Sequence, residues 1–147
     1  MISFISMESG IFRLKLISPL FYIPEEGPGP FNYQEGDGEK LFCFELNDAQ
    51  ALCFEPEREK LLGDLIFGGK AAGEANGGDL VELPDGDYFF AQKRELLSKD
   101  DIIDVATEVQ QEGLWQRINL GKKLYLRFLF EDGRTVTQIL RPWQNDE

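Results

Sequence analysis

Histidine is absent from this sequence, and cysteine occurs only twice. Without histidine, Ser-His-Asp and Cys-His nucleophilic machinery are excluded, as is every zinc site that uses an imidazole. Two thiols cannot supply a four-cysteine metal site, so no metal and no cofactor is expected. Acid–base chemistry would fall to Asp, Glu, Lys or Tyr, with pKa values moved by burial. No apolar run approaches the ~20 residues that span a bilayer as a helix. The first seven residues also lack the basic leader of a signal peptide. The expected setting is the cytosol, with no membrane partner. Positive charge is scarce: 15 Lys and Arg stand against 27 Asp and Glu, a net charge of −12. Such a field repels phosphate backbones, which argues against direct nucleic-acid binding. It suits a basic protein or a cationic ligand, and it favours solubility.

Apolar residues make up 42% of the chain and include 12 Phe. Residues 1–147 therefore read as a single domain able to bury a core. A glycine-rich stretch at 68–79 divides it into an N-terminal half, 7–67, and a C-terminal half, 80–143. The stretch contains Gly69-Lys70, but Asp64 stands where a phosphate-binding loop needs its first glycine. Ala71 replaces the hydroxyl that would hold a metal. The stretch reads as a flexible linker.

Residues 11–17 alternate, with Phe12, Leu14 and Leu16 on one face and Arg13 and Lys15 on the other. That is the pattern of a half-buried strand. Residues 20–23 resume it as an edge strand, because Pro19 and Pro24 are barred from central ladder positions. Residues 24–40 read as a loop in which Phe31 and Tyr33 either cover a pocket or pin the loop to the core. Residues 41–46 and 50–54 read as a hairpin, which sets Cys43 across from Cys53. Two small buried hydrophobes is the preferred account of those thiols, and a redox pair the alternative. Residues 56–67 predict a short helix, with Pro56 at its first position, Leu61, Leu62, Leu65 and Ile66 as its stripe, and Gly68 beyond its end.

In the second half, Pro84-Asp85-Gly86 has the residues of a tight turn. The strand 88–94 follows, with Tyr88 and Phe90 on one face and Phe89 on the other. Ser98 caps a helix over 99–112 whose core stripe is Ile102, Val105, Ala106 and Val109. Asp100, Asp104, Glu108 and Glu112 form a solvated face, and Gly113 ends the helix. Residues 124–130 and 135–141 form a hairpin closed at Asp132-Gly133. A two-residue loop places Arg127 opposite Gln138, and a three-residue loop places it opposite Thr137. The fold class is α+β: a mostly antiparallel sheet with two helices, its C-terminal half a strand–helix–strand–strand module.

That module resembles one half of a gyrase-inhibitor-like (GyrI-like) effector-binding domain. The matching residues are Leu83 through Tyr88 before the first strand, Gly113 near the helix end, Tyr125 and Phe128 in an aromatic strand, and the closing run from Thr137 to Pro142. The resemblance covers about 60 residues and implies a sheet-lined cleft for hydrophobic or cationic small molecules. Leu126 occupies the position where that family often has an acid, so a cation-reading carboxylate does not carry over. From the residues themselves, the expected function is a soluble, non-enzymatic binding domain. Tyr88, Phe90, Trp115, Tyr125 and Arg127 are the expected ligand-binding residues. The alternatives are an acidic module that docks a basic protein, and a hydrolase built on Glu82, Asp85 and Asp87.

Overall fold

The computed structural model describes residues 11–25, 29–32, 39–62, 66–71, 81–131 and 133–143. The strands are β1 (Ile11–Leu16), β2 (Leu20–Glu25), β3 (Lys40–Glu45), β4 (Lys60–Leu61), β5 (Ile66–Ala71), β6 (Val81–Leu83), β7 (Gly86–Lys93), β8 (Lys123–Glu131) and β9 (Arg134–Pro142). Helix α1 (Lys99–Trp115) lies between β7 and β8. A six-stranded sheet has the order β1-β7-β9-β8-β3-β4, and a three-stranded sheet the order β5-β2-β6. All strand pairings among the described residues are antiparallel. The fold is thus α+β.

The large sheet is covered on both faces. On one, Phe42, Phe44, Phe89, Leu126, Phe128 and Ile139 meet Ile102, Val105, Ala106 and Val109 of α1. On the other, Leu41, Cys43, Tyr88, Tyr125 and Leu140 meet Tyr22 of β2 and Leu83 of β6. This explains why β8 is nearly continuous in apolar residues, since a strand buried on both faces loses the polar half of its alternation. Half-buried β1 keeps the alternation: Phe12, Leu14 and Leu16 are partly buried, and Arg13 and Lys15 are exposed.

Local signals hold at several places. Ser98 accepts the amide of Asp101 at 3.2 Å and caps α1. Gly86 has φ +130°, as the turn after Pro84 requires. Glu131 pairs with Arg134, so the hairpin loop has two residues and Arg127 faces Gln138. Gly133 takes φ +77° there, a conformation that only glycine adopts without cost.

Four expectations are corrected. The first is the second helix, because α1 is the only helix among the described residues. Pro56 lies in a turn in which the Arg58 amide donates to Glu55 O at 2.9 Å. Lys60 and Leu61 then pair with Glu45 and Phe44, and β5 begins at Ile66. The open edge of β3 supplies backbone partners and outweighs a weak helical preference already reduced by Gly63. The start of the expected linker, through Ala71, is part of β5, and residues 72–80 lie outside the described ones.

The second correction is the hairpin. Beside β3 lie β4 and β8, and residues 50–54 run along α1 instead of forming a strand. The Phe54 amide donates to Thr107 Oγ1 at 3.1 Å. Gln110 and Gln111 donate to the carbonyls of Ala51 and Leu52 at 3.0 and 3.1 Å. Helix side chains thus satisfy backbone groups that a ladder would otherwise satisfy. Consequently Cys43 is buried against Tyr125, its register partner, while Cys53 is exposed, and both thiols are free. The third is β2, which is the central strand of its sheet rather than an edge. Its pairing with β6 involves only Leu20 to Tyr22. Pro24 therefore sits past that ladder, beside a register shift, where a missing amide is tolerated.

The fourth concerns Gly113, which does not end α1. The helix runs to Trp115, and Gly113 is buried inside it. A Cβ there would meet Leu120 Cδ1 at 2.5 Å, so the glycine admits the return segment. The helix is closed by Ile118 N to Gly113 O (2.8 Å) and Arg117 N to Leu114 O (3.1 Å), the paired bonds of a Schellman ending. Of the aromatics expected between residues 24 and 40, Phe31 stacks on Phe44 at 6.3 Å and pins its turn to the core. Tyr33 lies outside the described residues.

Candidate functional site

The five residues expected to line one pocket occupy different places. Tyr88 is core, and its hydroxyl donates to Pro84 O at 2.5 Å. Phe90 is half-buried beside Phe12, with ring centroids 5.7 Å apart. Trp115 is 83% exposed at the end of α1. Arg127 is held within the fold: Nε donates to Tyr22 Oη at 2.7 Å, Nη1 to Gln138 Oε1 at 3.1 Å and Nη2 to Glu39 Oε2 at 3.0 Å. Gln138 passes the chain on to Gln92 at 2.7 Å. Tyr125 lines a cleft of about 680 Å³.

That cleft forms at one end of the large sheet. Its floor is the end of the β3–β8 ladder, where Glu45 pairs with Lys123 and the Leu46 amide donates to Lys122 O at 2.7 Å. Ala49 and Gln50 of the β3–β4 connection form one wall. Pro84 forms another, held by the Tyr88 hydroxyl. The segment from Asn119 to Gly121, with Pro142, closes the remainder. This segment is fixed by a bond from the Gly121 amide to Pro142 O at 2.8 Å and by the bridge between Leu120 and Trp143. Glu45, Lys123, Tyr125 and Pro142 of the lining stand on strands, and the connections between elements supply the rest.

The lining combines apolar surface (Pro84, Pro142 and the Tyr125 ring) with a few polar groups, as small-molecule sites do. Its volume falls within the roughly 300–1,000 Å³ of such sites. Burial, more than neighbouring charge, pushes the Tyr125 phenol above its ordinary value. Near neutral pH it is therefore a neutral donor and acceptor. Burial likewise pushes the adjacent Cys43 thiol up to about 11, and its Sγ donates weakly to Phe44 O at 3.8 Å. A raised thiol pKa lowers nucleophilicity at neutral pH, so Cys43 reads as packing.

Glu82 of β6 and Asp85 of the turn before β7 are exposed and do not line the cleft, and the Asp87 carbonyl accepts the Trp143 amide at 2.9 Å. Among the described residues no group of three or more acids or thiols is placed to hold a metal. Among the same residues no helix is long and apolar enough to cross a membrane. Lys122, Lys123, Gln50 and Asn119 were not singled out by sequence reasoning. A signal was present: two adjacent lysines after Gly121 stand out in a chain so poor in positive charge. No protein-family model matches this chain, and no curated protein matches it.

Proposed function

We propose that the protein is a cytosolic, non-enzymatic binding domain for a small molecule, and that the molecule sits in the cleft beside Tyr125. The cleft carries this reading: it holds about 680 Å³ at the end of the large sheet, with apolar walls and several polar groups for orientation. The resemblance of the C-terminal half to effector-binding domains points the same way. Only Tyr125 of the five residues expected from sequence lines this site. The other four support the fold or lie elsewhere.

The test is a fragment screen against the isotope-labelled protein, read by amide chemical shifts and thermal unfolding. Fragments of mixed charge are expected to shift the amides of Gln50, Gly121, Lys123 and Tyr125 together. At ten times its Kd a ligand adds about 1.4 kcal/mol, which for a chain of this size raises Tm by about 4 °C. A broad library that leaves those amides unmoved would overturn the reading.

A further inference from the structure

We infer that the ligand of this cleft is an organic acid: an apolar body against Pro84, Pro142 and the Tyr125 ring, with its anionic group at Lys122 and Lys123. The inference rests on the cleft being the binding site and goes further by assigning the sign of the ligand's charge. It departs from what the overall charge of −12 implies. A ligand experiences the local field first, because exposed charges beyond a Debye length of about 8 Å are largely screened.

Within the lining the cations outnumber the acids, although Asp48 and Asp85 adjoin lining residues Ala49 and Pro84, and Glu82 is near enough to act on Tyr125. The lining carries Lys122 and Lys123 against a single carboxylate, Glu45. The ion pairs among the described residues join Arg58 to Glu55, Lys99 to Glu57 and Arg127 to Glu39, so neither cleft lysine has a salt-bridge partner there.

A third cation stands behind the wall. Arg141 is completely buried. Its Nη2 donates to the carbonyl of Gly121 at 2.6 Å, and its Nε and Nη1 have no hydrogen-bond partner among the described residues. Gly121 and Pro142, the next residue, both line the cleft. Burial lowers the Arg141 pKa to about 10, with Glu59 partly offsetting it, so the group remains charged near neutral pH. A buried charge without a carboxylate in contact is costly and is weakly screened. An anion in the adjacent cleft would lower that cost. Gln50, also in the lining, carries an amide donor of the kind an acid group accepts.

The experiment uses three probes that share one ring system: 2-naphthoate, 2-naphthalenemethanol and 2-naphthylmethylamine. Each is titrated into the full chain at low and high salt, with amide shifts of the cleft residues as readout. The expected order is acid first, at least about tenfold tighter than alcohol or amine, with the advantage shrinking as salt rises. K122Q/K123Q is expected to bring the acid to the alcohol's affinity while leaving the alcohol unchanged. K122R/K123R keeps the charges and is expected to keep the preference, which separates charge from a folding defect. If the alcohol or the amine binds the cleft as tightly as the acid, the inference is overturned while the binding reading stands. If no probe moves the cleft amides, both are overturned.

Discussion

Arg127 shows how one side chain can join two layers of a small domain. It projects from β8 and reaches Tyr22 of the small sheet, Gln138 of β9 and Glu39 just before β3. The fork of a guanidinium suits three partners in different directions, which an ammonium could not match. The Tyr22 hydroxyl also donates to Glu39 Oε2 at 2.5 Å, so the carboxylate is held twice. Replacing Arg127 with Met would leave that carboxylate partly buried and without its cation. The Arg127 and Glu39 side chains are 13% and 22% exposed, so the cost should fall below that of a fully buried pair, at about 2–3 kcal/mol. Urea unfolding of R127M measures it, and E39Q/R127M should recover part of the loss. A midpoint equal to wild type would show that the network adds nothing to stability.

Helix α1 is read correctly at its start and incorrectly at its end. Ser98 and the stripe from Ile102 to Val109 are local signals and behave as expected. At the other end, the residue in the left-handed conformation is Arg117, with φ +61°, and the glycine lies four residues earlier against Leu120. A glycine near a helix end can serve as a cap or allow close packing, and spacing alone does not separate the two. A left-handed arginine carries a steric cost that glycine does not. Arg117→Gly should therefore stabilise the chain by up to about 1 kcal/mol, less the entropy gained by the unfolded state. The urea midpoint should rise while the m-value stays constant. A lowered midpoint would mean that the Arg117 side chain contributes contacts worth more than the strain.

Across the molecule, the core between the two sheets contains ionisable groups that are kept neutral. Burial raises the Tyr22, Tyr88 and Tyr125 phenols above their ordinary value, and raises the Cys43 thiol to about 11. Each group holds its proton more tightly in the folded chain than in the unfolded one. The unfolded state therefore loses protons first as pH rises, and stability declines across that interval. Stability from these groups should be complete below about pH 9, the ordinary thiol value. It should fall through about pH 11 for Cys43 and continue falling into the phenol range. Urea midpoints from neutral pH upward measure this decline. Phenolate absorbance from the three tyrosines should appear together with unfolding, and a midpoint that stays flat through pH 11 would contradict the assignment.

Sequence alone determined those elements whose signals lie within a few residues. These are the alternation of β1, the turn at Pro84, the cap at Ser98, the stripe of α1, and the pair β8 and β9. In each, side-chain period, cap chemistry or turn conformation acts between near neighbours in the chain. Tertiary structure decided the rest. Within the expected second helix, residues 56–58 became a turn, Lys60 and Leu61 a strand on the open edge of β3, and Ile66 and Phe67 the start of a strand beside β2. Residues 50–54 followed α1 because glutamines 59 positions away satisfied their carbonyls. The candidate site belongs to this second group: Tyr125 was visible as an aromatic, but its cleft needs Gln50, Pro84, Lys122 and Pro142 brought together from four parts of the chain. Backbone pairing and burial are satisfied by whichever partner the fold brings near, and that choice depends on all the elements at once.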